Sequence, residues 1–165
     1  MKKVMKKDVT PYALAMYSRT MVAGWADVDV NGHMRNTAFL DKAATLRMHF
    51  FADHGFPMSE FSRLKIGPVI LRDEVDYLRE VMLLDEVEVT LAIAGMSEDG
   101  SRFRLRNDVL RKDGKVCARI TSSGGWLDLV ARKLVPPPPS LLAATQALER
   151  TDDFVTIETR GRPSA

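Results

Sequence analysis

Apolar and polar positions change period several times along the chain, and each change marks an element. Residues 13–25 mix alternation with turn residues and run directly into a polar stretch at 26–35, which predicts a first strand followed by a long loop. Across residues 36–54, Phe39, Ala43, Leu46 and Phe50 recur at helical spacing, with Leu40, Ala44 and Phe51 widening the stripe. That pattern predicts a helix of about five turns, buried around most of its circumference, whose narrow polar face is Asp41, Lys42, Thr45 and His49. Gly55 and Pro57 supply its stop.

Beyond a connector at 56–66 the period falls to two. Val69, Leu71, Val75 and Tyr77 alternate, and Val87, Val89, Leu91 and Ile93 alternate again. Asp99-Gly100 and Asp113-Gly114 then fall at hairpin spacing, between Phe103, Leu105 and Val109 on one side and Val116, Ala118 and Ile120 on the other, which predicts an antiparallel meander. Gly124-Gly125 inside the last extended stretch marks a bulge or a close backbone approach, with the strand resuming through Trp126 and Leu129. The run Pro136 to Pro139 cannot feed a sheet with donors and is expected to end the folded body. Ser140 is the expected N-cap of a short helix carrying Leu141, Leu142, Thr145 and Leu148, and a weakly ordered tail is expected beyond Arg150. An antiparallel sheet curled around one central helix is the economical way to bury both.

Composition adds limits. At 165 residues, 45% of them hydrophobic and 28% charged, the chain suits one domain with its own core. We expect a basic segment at 1–12, a single domain at 13–135, and a Pro-rich linker, short helix and tail at 136–165. The 24 Lys and Arg and the 22 acidic residues are interleaved outside the first seven residues, which argues against a nucleic-acid partner. The basic start is followed by no apolar core of a signal peptide, and no apolar run reaches the ~20 residues of a membrane span, so neither secretion nor a membrane partner is expected. Cys117 is the only cysteine; no intrachain disulfide can form, and a reducing cytoplasm is the expected location.

Candidate chemistry is concentrated in the loop. Asp27, Asp29, Asn31, His33, Arg35 and Asn36 fall within ten residues immediately before the apolar helix. On these residues alone two roles fit: Asn36 as N-cap, Asn31-Gly32 as a turn and the aspartates complementing the helix dipole, or a polar catalytic cluster beside a core.

The segment Trp25-Ala26-Asp27-Val28-Asp29-Val30-Asn31-Gly32-His33-Met34-Arg35-Asn36-Thr37-Ala38-Phe39-Leu40 resembles the signature of hotdog thioesterases, the group that includes 4-hydroxybenzoyl-CoA and acyl-ACP thioesterases. The likeness continues through Gly67-Pro68-Val69, residues 74–80, 85–89 and 132–136, about 15–136 in all. It implies an α+β hotdog fold, an antiparallel sheet wrapped around a long central helix. It also implies hydrolysis of an acyl-CoA or acyl-ACP thioester, with Asp29 catalytic as nucleophile or general base, aided by Asn31, His33 and Glu80. Substrate binding is expected from Asn36, Gly67, Tyr77 and Arg79. Tyr77-Leu78-Arg79-Glu80-Val81 is similar to an acyl-ACP motif in which a cysteine follows the acidic residue; Val81 stands in that place, so no cysteine nucleophile is expected there. The acyl-ACP branch carries two hotdog units per chain and this sequence one, so a homodimer or dimer of dimers is the expected assembly.

Neither cofactor nor metal is expected, since His49 and His54 miss the one-turn spacing of a helical metal pair. Arg102, Arg104 and Arg106 alternate on one strand face, which suits either the phosphates of CoA or plain solvation. Two alternatives stay open: an enoyl-thioester hydratase on the same fold, and a non-catalytic acyl-thioester-binding dimer.

Overall fold

The computed structural model describes residues 16–159. The basic segment 1–12, the start of the expected first strand at 13–15, and residues 160–165 lie outside the described residues. Seven strands form one sheet: β1 (Tyr17–Val22), β2 (Ile66–Tyr77), β3 (Glu86–Ser97), β4 (Arg102–Arg111), β5 (Val116–Asp128), β6 (Lys133–Leu134) and β7 (Arg150–Ile157). The main path runs β1-β3-β4-β5-β2, all antiparallel, and curls around α1 (Asn36–Asp53). This is the hotdog arrangement.

Helix α1 ends as expected. Gly55 takes a left-handed φ of 91°, the Phe56 amide reaches back to Phe51 O (2.8 Å), and the Gly55 amide reaches Ala52 O (3.1 Å), which together close the helix. Its buried face differs from expectation at one informative position. Lys42, assigned from the pattern to the polar face, is buried with Ala38, Phe39, Ala43, Leu46, Arg47, Phe50 and Phe51, whereas Ala44 is exposed. A long aliphatic stem can pack apolar surface while its head finds oxygen partners, and Lys42 has two.

The meander β3-β4-β5 turns at Gly100 (φ 72°) and Gly114 (φ 77°), as the Asp-Gly pairs predict. Gly124 is a close approach: a Cβ there would stand 1.9 Å from Val69 O on β2. The bulge itself falls on β2, between Ile70 and Arg72, which leaves Leu71 exposed and breaks the alternation expected of Val69, Leu71 and Val75. Leu129 lies beyond the end of β5. In the core, Trp126 stacks on Phe61 and meets Phe51 and Phe103 edge-on.

Three expectations are corrected. The connector after α1 holds a short helix, α2 (Met58–Leu64), anchored by buried Phe61 and too brief for periodicity to reveal. The prolines do not end the folded body: α3 (Pro139–Gln146) sends Leu141 into the core. Its N-cap is Pro138 rather than Ser140, because Pro139 takes the first helical turn, where a missing N–H costs nothing. The expected tail is β7, which pairs parallel with the half of β3 that β1 leaves uncovered, Gly95 facing Val155 and Ser97 facing Ile157. The sheet therefore takes in residues well past 135. No helix among the described residues is long and apolar enough to cross a membrane.

Candidate active site

The loop from β1 to α1 is built outward from its two ends. After β1, Ala23 is bonded to the 84–85 turn, its amide donating to Asp85 O and its carbonyl accepting from Leu84 N. Residues Trp25–Asp27 form a single 3-10 turn, closed by the Asp27 carboxylate reaching back to the Gly24 amide (2.8 Å). Val28 bridges Met34, and the Arg35 amide donates to Asp27 O (2.8 Å), so residues 28–34 form a tight excursion whose base is pinned. Arg35, in extended conformation, is the N-cap of α1, and Asn36 is its first residue instead of its cap.

Asp29 sits where that excursion turns. Its Oδ1 accepts the amides of Asn31 (2.9 Å) and His33 (3.2 Å), while its own amide donates to His33 O (2.9 Å). Oδ2 makes no hydrogen bond within the described residues. Gly32, at φ 75°, makes the reversal possible and lends its carbonyl to Leu83 N.

Residues 32–34 then lie alongside 81–83: His33 bridges Met82, and the Met34 amide donates to Val81 O (2.7 Å). That pairing sets Glu80 opposite His33, with 3.5 Å between Nε2 and Oε2. Tyr77, near the end of β2, donates from its hydroxyl to Asn36 O (3.2 Å) and lays its ring edge-on to Phe39. Arg79 is held by Val116 O (2.6 Å).

Asp29, His33, Asn36, Tyr77, Arg79 and Glu80 thus line one open groove of about 370 Å³, together with Met34, Phe39 and Leu78. The groove opens at the start of α1, where the Ala38 amide turns back to Arg35 O (3.0 Å) while the amides of Asn36 and Thr37 lie ahead of the helical ladder and no side chain of the N-cap residue caps them. A carboxylate with a free oxygen, a histidine paired with a second carboxylate, and amide donors beside an apolar wall are the parts an acyl-transfer site needs.

Two expected positions stand apart. Asn31 is exposed at the loop tip and only its backbone contacts Asp29. Gly67 lies at the opposite end of β2 from Tyr77, roughly 30 Å away at about 3.3 Å per residue. The arginine stripe on β4 does not line the groove either. Phe103, Leu105 and Val109 point inward, so Arg102, Arg104 and Arg106 face outward, and Arg106 grips Asp153 of β7 through both carboxylate oxygens (2.7 and 2.9 Å). Cys117 is fully buried in the core, and burial raises its thiol pKa. Among the described residues no three His, Cys, Asp or Glu gather as metal ligands.

Sequence reasoning missed Phe39, Met34 and Leu78 as groove walls, although Phe39 was visible as the first position of the helical apolar stripe. It also missed Lys42, whose Nζ donates to Val22 O and Asp27 Oδ2, both at 2.9 Å. Nothing in the spacing of Asp27 and Lys42 announces that contact.

The fold is the hotdog fold, with a polar groove at the head of its long helix. The chain belongs to the thioesterase-like superfamily, whose profile matches residues 23–145, and is a thioester hydrolase. A search of the curated proteins finds no match. Similar solved structures include a Staphylococcus aureus protein in complex with CoA (TM-score 0.73, 20% identity, covering 90% of this chain and 89% of that one). A 1,4-dihydroxy-2-naphthoyl-CoA thioesterase from Synechocystis is also similar (TM-score 0.72, 16% identity, 79% and 96% covered). So is a gentisyl-coenzyme A thioesterase (TM-score 0.68, 21% identity, 78% and 98% covered).

Proposed function

We infer that the chain hydrolyses an acyl-CoA thioester to the free acid and CoA, with Asp29 as the reacting or water-activating carboxylate. The observation that carries this reading is the position of Asp29. Its Oδ1 is committed to two loop amides and its Oδ2 is left free at the mouth of a groove formed by α1 and β2. The thioester carbonyl would lie over the first turn of α1, where the amides of Asn36 and Thr37 meet the developing oxyanion. Asp29 then either attacks the carbonyl carbon, expelling the thiolate and leaving an anhydride that water cleaves, or removes a proton from the water that attacks. In both routes the C–S bond breaks and the thiolate takes up a proton, a role for which His33, facing Glu80 across 3.5 Å, is the acid/base candidate. The CoA complex and the CoA thioesterases among the similar structures favour CoA as the thiol; a carrier-protein thioester is the other candidate.

A second copy would complete the site. Strand β2 ends the sheet with one edge unpaired among the described residues, and Ile70 and Leu71 are exposed along it. Beneath it, Arg47 of α1 is only 7% exposed, its Nη1 is fully buried without a partner, and burial lowers its pKa against the opposing charge of Asp73. Antiparallel pairing of two β2 strands about their middle would set the Gly67 end of one against the Tyr77 end of the other. Gly67 would thereby reach the partner's groove, which its own chain denies it.

The test is thiol release from a panel of acyl-CoAs, with crotonyl-CoA included. Asp29→Asn should lower kcat by about 10²–10⁴-fold while acyl-CoA still binds. An unchanged rate would reject the site. Loss of the enoyl absorbance without thiol release would instead establish a hydratase.

A further inference from the structure

We propose that Lys42 is the positioning residue of this site, its ammonium holding the backbone from which Asp29 is presented. The proposal rests on the reading of Asp29 given above. Lys42 does not line the groove and touches no substrate; it works from beneath. Its Nζ reaches Val22 O at the end of β1 and Asp27 Oδ2 in the 3-10 turn, each at 2.9 Å, so one atom on α1 ties together the last residue before the loop and the turn that opens it.

Asp27 is in turn gripped three ways. The same Oδ2 accepts the Gly24 amide, the carboxylate accepts Lys42, and the main-chain carbonyl accepts the Arg35 amide at the base of α1. Asp29 follows two residues later. The excursion that carries it begins from a residue whose side chain is held by Lys42 of α1 and whose carbonyl is held by Arg35, the N-cap of that helix. Lys42 therefore sets the offset between the reacting carboxylate and the oxyanion donors.

Lys42 and Asp27 are largely withdrawn from water, with side chains 11% and 22% exposed. Such a pair is a poor device for stability alone, because desolvation consumes most of the attraction and an apolar pair of the same shape does as well. What it adds is direction, since charge-assisted hydrogen bonds fix where their partners stand. Direction is what a catalytic loop requires, because a displacement of about 1 Å can cost on the order of 10²-fold in rate. Lys42→Met keeps the length of the stem and removes the charge; Lys42→Arg keeps the charge.

Two readouts decide the matter. In hydrogen exchange on the whole chain, Lys42→Met should speed exchange at the Asn31 and His33 amides, which Asp29 Oδ1 holds, by about 10-fold or more, while the middle of α1 stays as protected as before. In steady-state kinetics Lys42→Met should lower kcat by about 10²-fold with KM within about threefold. Lys42→Arg should recover most of the loss, and Asp27→Asn with Lys42→Met should cost no more than either alone. If Lys42→Met does not fold, Asp27→Asn carries the same two measurements. Unchanged exchange at residues 31 and 33, or an Arg variant as impaired as the Met variant, overturns the proposal. Should the unaltered protein release no thiol, the reading of Asp29 fails, while the exchange data still judge the clamp.

Discussion

At the scale of single residues, the two aspartates of the loop have different surroundings. Asp29 lines the groove; Asp27 turns inward to Lys42. Burial pushes the Asp27 carboxyl up, but the hydrogen bonds from Lys42 and Gly24 and the charges of Lys42 and Arg35 outweigh it, so it lies below the ordinary carboxylate value. A depressed folded-state pKa contributes stability that is fully present above the unfolded value, near ~3.9, and is lost as pH falls through the folded one. Acid unfolding of the protein should therefore include a step below about pH 4 that Asp27→Asn removes, with the variant less stable at neutral pH and its melting temperature flatter against pH in that window. A variant whose acid limb superimposes on that of the parent would show that Asp27 gains nothing from Lys42. For Asp29 the choice of substitution matters as much as the site. Asparagine retains an Oδ1 acceptor for the Asn31 and His33 amides, so Asp29→Asn tests chemistry, whereas alanine would also release the loop.

At the scale of elements, what was legible in the sequence was whatever local physics sets. The five turns of α1 followed from apolar spacing, its stop from Gly55, and the two hairpins from Asp-Gly pairs that accept positive φ at the glycine. The groove around Asp29 was legible in part through the family resemblance of the loop and of residues 77–80, which the structure brings together, whereas Gly67, named on the same ground, lies at the far end of β2. Features that depend on a distant partner were not legible. Strand β7 has a short, acid-interrupted alternation, and only the half-covered edge of β3 makes it a strand. Lys42 belongs to a polar face by period and to the core by its contacts with β1 and the turn. Gly124 lies between the two cases. The sequence marked a close approach, and the structure supplies the neighbour, the Val69–Ile70 backbone of β2, which has no flexible side-chain end to yield. Gly124→Ala should force β2 and β5 apart, costing about 2–3 kcal/mol and lowering Tm by about 5–10 °C. The analogous substitution at Gly67, where an added Cβ meets nothing within 4 Å, should leave Tm within about 2 °C in thermal unfolding.

At the scale of the whole molecule, the separation of Gly67 from the Asp29 groove makes a prediction that one chain alone cannot satisfy. If the site draws Asp29 from one copy and Gly67 from another, an Asp29→Asn chain is dead through its loop, and a Gly67→Val chain is crippled through the far end of β2. Each fails for a reason the other can supply. A mixed dimer holds one groove with both defects and one with neither, because the Gly67→Val chain contributes an intact Asp29 and the Asp29→Asn chain an intact Gly67. Random assortment from an equal mixture makes half of the dimers mixed, each with one good site of two, so unfolding and refolding the two variants together should recover about a quarter of wild-type activity. Leu71→Arg, which places a charge on the exposed edge of β2, should lower the mass seen in sedimentation and abolish this recovery, since no shared groove would form. Recovery requires a boundary that β2 crosses in the antiparallel sense. A mixture that stays as inactive as its components would place Gly67 outside the site and leave the groove to a single chain.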